Sequence, residues 1–319
     1  MRTEFWKHVA VASVLLIVLM ALRVMISTDD GLQRIDGFET STGQNVGPDV
    51  AFFGSGLNGD AATFVIVALD PFGSDLGHIL NEPSYRYARF GYSWAAAGLV
   101  AARDELILLG FSIVGFASVG AIGFAASRLN RVLGRRSWLL VVNPALLLGI
   151  MGDTSESLAL LAMTMALAAS APWLQGVAGM VTAVVRPSYL VAIFARWRVF
   201  GIALALAISS KVFWSLRFDD PITSGGQALD WPLLGIINAP SLLAWIVVLA
   251  GLMTAVIGLR KRDWGWVAGG IFVLIFSAIV YDTPTNAVRA AGYLPVLWAF
   301  GPNWQPARVT QASHVVDDH

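Results

Sequence analysis

The chain has 319 residues, of which 56% are hydrophobic and only 13% charged, and its mean hydropathy is +0.68. A soluble domain carries about 25% charged residues, so most of this chain cannot be solvated, and an ordinary water-soluble globule is excluded. The 21 basic and 21 acidic residues cancel, no basic tract with interleaved aromatics offers a nucleic-acid surface, and the absence of cysteine excludes disulfides, thiolate metal sites and cysteine nucleophiles.

In chain order, Arg2 and Lys7 precede an apolar run from Val9 to Leu22 that continues past Arg23 to Ile26. It is long enough to span and lacks a small-x-small cleavage site, so it reads as an uncleaved first helix with its N-terminus in the cytoplasm. Residues 27–92 form a polar, acid-rich loop, the one long polar excursion of the chain, in which Ala61 to Leu69 is expected to lie as a short helix along the membrane surface. Residues 93–101 are too short to span and read as an interfacial helix. Leu106 to Ser127 is a full span with glycines for close helix contact, and it ends at Arg128, Arg131, Arg135 and Arg136.

The next apolar stretches, Trp138 to Met151, Ser157 to Ala171, Gly176 to Val185 and Ser188 to Ala195, are short and are expected to be broken or part-way segments. Irregular backbone at membrane depth requires that it be buried in protein or line a cavity. Phe200 to Leu216 is a span containing Lys211, followed by a second polar loop whose Asp219 and Asp220 read as solvated charges. Leu233 to Leu259 spans and ends at Arg260-Lys261-Arg262, Trp264 to Tyr281 reads as another span, and Ala287 to Phe300 is broken by Pro295.

If Arg186-Pro187 marks a reversal at the outer surface, all the arginine clusters fall on the inner side and the acids fall outside, as the positive-inside rule requires. The result is an all-α polytopic membrane protein: one transmembrane domain, 1–301, of about ten membrane segments, a large first extracytoplasmic loop, and a cytoplasmic tail, 302–319.

This topology brings Asp60, Asp153 and Glu156 to one membrane face with Arg86, Arg89 and Arg186. Charges near a bilayer are costly and usually mark a cavity or a site. A carboxylate can serve as general base towards a hydroxyl, and arginine forks bind phosphate oxygens bidentately. Plainer roles stay open for each. Asp60 can cap the helix that follows it. Asp153 and Glu156 have capping-box spacing, and Arg186-Pro187 can punctuate a turn with the arginine snorkelling. Arg86 and Arg89 can bind lipid headgroups non-specifically. His78 is the one histidine of the outer loop and no metal-ligand spacing is present, so no metal site is assigned; a carboxylate-rich face leaves a divalent ion as a minor alternative.

Four blocks resemble the GT-C superfamily of integral membrane glycosyltransferases, with the closer likeness to a bacterial group tied to cell-surface glycopolymer formation. Asp60-Ala-Ala-Thr-Phe64 through Ala68-Leu-Asp70-Pro-Phe72 resembles that group's first block, and Pro83-Ser-Tyr85-Arg86-Tyr87-Ala-Arg89-Phe-Gly-Tyr92 its second. Asp153-Thr-Ser-Glu156 resembles the acidic helix start common in GT-C proteins, and Val185-Arg186-Pro187-Ser188 their arginine turn. The likeness covers residues 55–195. Ala61 and Phe64 stand where the group has glycine and tyrosine, and Ser93 where it has proline.

The resemblance implies a GT-C-like bundle in a bacterial cytoplasmic (inner) membrane, with the site facing outward. It implies a polyprenyl-phosphate-linked sugar as donor, a glycan or lipid-linked acceptor outside the membrane, and no cofactor. By block position Asp60 is the base, with Asp153 and Glu156 beside it in the catalytic set. Arg86, Arg89 and Arg186 hold the donor phosphate, and Asp70, Tyr85 and Tyr92 complete the site. The rival from a different class is a non-catalytic transporter, flippase or scaffold for polyprenyl lipids. An internal inverted repeat would favour a transporter, and the chain has none that is recognisable.

Overall fold

The computed structural model describes residues 6–7, 10–14, 17–18, 33–35, 38–39, 45–46, 50–52, 59–77, 80, 82–151, 155–194, 196–222, 234–238, 241–276, 280–281 and 284–305; the side chains of residues 33–52, 59–62, 105, 147, 150–151 and 284–285 are not among those described. The expected first helix and His78 therefore lie largely outside the described residues, as do Asp153, most of the second polar loop and the tail beyond Gln305.

Among the described residues the fold is helical apart from four short strands in the first loop. Strand β1 (Gln33–Ile35) pairs antiparallel with β4 (Val50–Phe52), and β2 (Phe38–Glu39) with β3 (Asn45–Val46), one ladder nested in sequence within the other. The loop thus has sheet structure that its acid-rich, glycine-rich sequence did not suggest.

Helix α1 (Gly59–Leu69) forms where the apolar run predicted one, but it does not lie on a surface. Phe64, Val65, Ile66, Val67 and Ala68 are all buried within the protein. A helical run apolar on every side, as Phe64 to Ala68 is, belongs in a core rather than at an interface. Two short helices follow, α2 (Pro83–Tyr87) and α3 (Gly91–Leu99), the latter in place of the expected 93–101 segment. Helix α4 (Ile107–Leu133) packs against α3 so closely that a Cβ on Gly110 would meet the Ala96 carbonyl oxygen at 2.5 Å.

Among the described residues, three helices are long and apolar enough to cross a membrane: Ile107–Val141, counting the turn Gly134–Ser137 and α5 (Trp138–Val141) as its continuation, then α9 (Trp197–Phe218) and α11 (Leu242–Lys261). Between them the chain is broken into the short pieces expected from sequence: α6 (Pro144–Met151), α7 (Glu156–Ala168), α8 (Pro172–Val185) and a 3₁₀ stretch, Pro187–Ile193. At the first of these breaks Asn143 is buried. Its Oδ1 accepts from the Ala145 N–H at 3.0 Å and its Nδ2 donates to the Gly292 carbonyl at 2.7 Å, so the interrupted backbone is satisfied inside the protein.

The short α10 (Leu234–Asn238) precedes α11. The expected full span from Trp264 to Tyr281 is not continuous. Helix α12 (Trp264–Phe272) tightens to 3₁₀ over Val273–Ile275, and Phe276 leaves it in extended geometry. The Val273 carbonyl accepts the Phe276 N–H at 3.3 Å and the Tyr281 hydroxyl at 2.6 Å, so the backbone at the break is satisfied in a buried place. Helices α13 (Pro284–Ala290) and α14 (Tyr293–Phe300) complete the bundle, and one contiguous apolar cluster runs from Ala12 to Phe300. Residues following α14 dock on the body rather than trailing away: the Trp304 indole donates to the Leu167 carbonyl at 3.0 Å.

Tyrosine does much of the joining. Of the six tyrosines, five are fully buried, and each donates its hydroxyl to a backbone carbonyl: Tyr87 to Asp70, Tyr92 to Phe111, Tyr189 to Arg289, Tyr281 to Val273 and Tyr293 to Gly269. A buried phenol needs such a partner; for Tyr87, Tyr189, Tyr281 and Tyr293 the carbonyl lies at or near a helix end, whereas Phe111 lies within α4. Tyr85 is the exception, with no carbonyl among the described residues to receive its hydroxyl, and it stands in the middle of the candidate site.

Candidate functional site

The site is built from the ends of elements. Helix α2 starts at Pro83, whose ring suits the first helical turn, and it and the turn that follows carry Tyr85, Arg86 and Arg89 to one region. The Arg89 guanidinium lies 4.2 Å from the centre of the Tyr85 ring, Arg86 at 5.4 Å and the Lys211 ammonium at 5.9 Å. Three cations thus share one aromatic ring, within the distance at which a π face attracts charge.

Lys211 arrives from α9, one of the candidate spans, and donates to Ser84 Oγ at 2.8 Å. Ser84 in turn donates to Asp220 Oδ2 at 2.5 Å, and its backbone N–H donates to the same oxygen at 3.2 Å. The expectation that Asp220 is a solvated loop charge is therefore corrected: it ties the C-terminal end of α9 to α2. Tyr87 strengthens that seam, with its ring 4.9 Å from both Trp214 and Phe218.

A second cluster adjoins the first. Glu156, at the first position of α7, is 0% exposed; Arg186 Nη1 lies 2.7 Å from its Oε1, and Arg289 Nε donates to the same oxygen at 2.8 Å. Ser155, not Asp153, occupies the N-cap, and no side chain caps the helix, so the capping-box alternative for Glu156 gives way to an ion triad. Two guanidiniums and one carboxylate leave a positive charge on these three side chains. Arg186 stands at the end of α8 with φ −152 and ψ 86, where Pro187 prevents the helix from continuing. The Arg186 guanidinium lies 5.4 Å from the Tyr189 ring and within electrostatic reach of Tyr85, so the triad and the three-cation cluster form one electropositive region.

The four blocks singled out in the sequence meet here. Phe64 and Tyr92 pack edge to face at 5.4 Å, Arg89 lies over Phe64 at 5.6 Å, and Ser93 Oγ donates to the Phe64 carbonyl at 2.8 Å. Two of the three residues that depart from the glycosyltransferase pattern, Phe64 and Ser93, thus contact each other. Gly91 brings the second block onto the fourth, since a Cβ there would meet Val184 Cγ2 at 2.7 Å and Val185 Cγ2 at 2.8 Å.

The remaining expected residues fall as follows. Asp60 is the second residue of α1, and its side chain lies outside the described residues, as does Asp153 altogether. Asp70 ends α1, with its carboxylate accepting from the N–H groups of Ser74 at 2.9 Å, Asp75 at 2.8 Å and Leu76 at 2.7 Å. Burial alone would raise its pKa, but these backbone donors prevail and hold it below the ordinary carboxylate value. Tyr92 is a core residue whose hydroxyl is already given to Phe111 at 3.3 Å.

Sequence reasoning missed Arg289 and the use made of Lys211, although an ionisable residue inside an apolar stretch is by default a candidate for function. No group of carboxylates and histidines able to hold a metal occurs among the described residues. No known protein family, curated protein or solved structure matches the chain. Chemically, the region is suited to a phosphate or pyrophosphate: planar forks, a point charge and a surplus of positive charge at the ends of apolar helices.

Proposed function

We propose that the protein is an integral membrane glycosyltransferase of GT-C type. It takes a sugar from a polyprenyl-phosphate donor and transfers it to a glycan or lipid-linked acceptor on the extracytoplasmic face of a bacterial cytoplasmic membrane, in cell-surface glycopolymer synthesis. The observation that carries this reading is the convergence of Arg86, Arg89 and Lys211 on Tyr85, beside the Glu156–Arg186–Arg289 triad.

In the proposed reaction Asp60 removes the proton of an acceptor hydroxyl, whose oxygen attacks the anomeric carbon from the face opposite the phosphate. The bond to the phosphate oxygen breaks with inversion, and polyprenyl phosphate leaves carrying the electron pair. Arg86, Arg89, Arg186 and Lys211 offset the charge that develops on the leaving phosphate. Glu156 acts as a positioning residue that aims Arg186 and Arg289, since both arginines already occupy one of its oxygens. Among the described residues three helices are long and apolar enough to cross a membrane; the reading places them in a bundle of about ten segments.

The test is sugar transfer by the purified protein in lipid, wild type against Asp60→Asn, over a panel of polyprenyl-phosphate sugars. Transfer by the wild type and its loss in Asp60→Asn, with donor binding kept, supports the reading. Donor binding without transfer in either protein favours a lipid-handling role.

A further inference from the structure

The helix that delivers Lys211 to the candidate site begins at a second, separate cavity. Helix α9 has 22 residues, which at 1.5 Å per residue is about 33 Å. Its two ends therefore face opposite sides of a bilayer that it crosses. The cavity at its N-terminal end has a volume of about 550 Å³, and its walls include Arg196, Arg262, Trp197, Trp264 and Trp304.

Its charge is not balanced. The acid in its wall is Asp263, and both of its oxygens are committed to backbone N–H groups: Oδ1 accepts from Gly265 at 2.9 Å and Trp266 at 3.1 Å, and Oδ2 from Asn303 at 2.5 Å. Arg196 gives one nitrogen to the Leu167 carbonyl at 3.2 Å, while its buried Nε has no hydrogen-bond partner among the described residues. Arg262 lines the same space, and the Arg136 guanidinium lies against Gly301 at its wall. Three of the arginine clusters that the positive-inside rule assigns to one membrane side thus converge on one hollow. Trp197 is 71% exposed and Trp264 65%, the placement of rings that sit at headgroup level.

We propose that this cavity binds the phosphate headgroup of an anionic membrane phospholipid. Arginine forks with committed acids beside them suit a phosphate diester, and basic hollows between helices on the arginine-rich side of a membrane protein take such headgroups. The tryptophans flank the glycerol and upper acyl region. A bound lipid bridges the start of α9, the α11–α12 turn and the segment after α14, the last two of which Asn303 already ties together through Asp263 and the Lys261 carbonyl. This site is distinct in place and ligand from the candidate transfer site, and its test does not depend on transfer.

The experiment is native mass spectrometry of the full chain released from detergent, titrated with phosphatidylglycerol, phosphatidylcholine or inorganic phosphate. Wild type retains phosphatidylglycerol over phosphatidylcholine, and inorganic phosphate does not displace it. Arg196→Gln and Arg262→Gln each reduce retention about five-fold, whereas Arg198→Gln, which removes a charge on the same side but outside the cavity wall, leaves it unchanged. Equal retention by the cavity variants and wild type overturns the proposal. So does equal retention of phosphatidylcholine, or displacement by inorganic phosphate, which would mark a site for a soluble anion. If the glutamine variants do not fold, the Arg196→Lys, Arg262→Lys pair keeps the charge but loses the planar fork. Reduced phosphatidylglycerol retention then supports the site, and wild-type retention overturns it.

Discussion

Glu156 and Arg289, 133 residues apart in the chain, are joined by a 2.8 Å hydrogen bond from Arg289 Nε to Glu156 Oε1, and Arg186 completes the triad from a third element. Burying three charges is a poor route to stability, because desolvation offsets most of the attraction. The arrangement makes sense if it holds arginines in fixed positions for an anion. Glu156→Gln leaves two guanidiniums buried without their carboxylate and is expected to cost about 3–5 kcal/mol. Thermal unfolding in detergent measures this, and a midpoint equal to wild type would contradict the buried triad.

The tyrosines divide into two kinds. Tyr189→Phe and Tyr293→Phe each remove a buried hydroxyl and its hydrogen bond to a carbonyl near a helix end, at a cost of about 0.5–1.5 kcal/mol. Tyr85→Phe keeps the ring that the cations share and is expected to leave both stability and polyprenyl-phosphate affinity near wild type. Tyr85→Leu removes the ring, lowers that affinity and leaves the fold intact. Denaturant unfolding and binding, measured on all four variants, separate the two kinds.

Asp70 confers a pH dependence with a definite sign. Its folded-state pKa lies below the unfolded value, so its stabilisation is fully present above the unfolded value, about 3.9. That stabilisation is lost as the pH falls through the folded value. Asp70→Asn is expected to lower stability at pH 7 and to flatten the fall in stability between about pH 5 and pH 3. A stability curve with the same acid slope in both proteins would remove Asp70 from this role.

Gly91 is where the second block closes on the arginine turn. A methyl group there meets Val184 and Val185 at under 3 Å, so Gly91→Ala must push α3 away from α8, at about 1–3 kcal/mol. Polyprenyl-phosphate affinity should fall with it, because Arg89 and Arg186 are carried on the two sides of this contact. Val184→Ala, combined with Gly91→Ala, is expected to restore part of both, and a lack of rescue would show that the contact does not set the distance.

The blocks that form the candidate region were legible in the sequence because each sets charged residues beside an apolar run, with aromatics interleaved in Tyr85-Arg86-Tyr87-Ala88-Arg89. Short helices, the break at Arg186-Pro187 and three long apolar helices could also be read from run length and proline. Other features are long-range. Nothing local to Arg289 announces a carboxylate 133 residues away, and nothing around Asp220 announces Ser84. The burial of α1 was hidden because an unbroken apolar run such as Phe64 to Leu69 looks the same at an interface and in a core. The break after Ile275 has no proline to signal it; it rests on Tyr281 receiving a place to donate its hydroxyl.

The measurement that tests the account most directly is the affinity of the protein in lipid nanodiscs for polyprenyl phosphate, with Arg89→Gln, Lys211→Met and Arg103→Gln beside wild type. Arg103 is exposed and lies outside the cluster, so it reports non-specific attraction. The account predicts a loss of about tenfold for each cluster variant, equivalent to about 1.4 kcal/mol, and no change for Arg103→Gln. Wild-type affinity in Arg89→Gln and Lys211→Met, or an equal loss in Arg103→Gln, would contradict it.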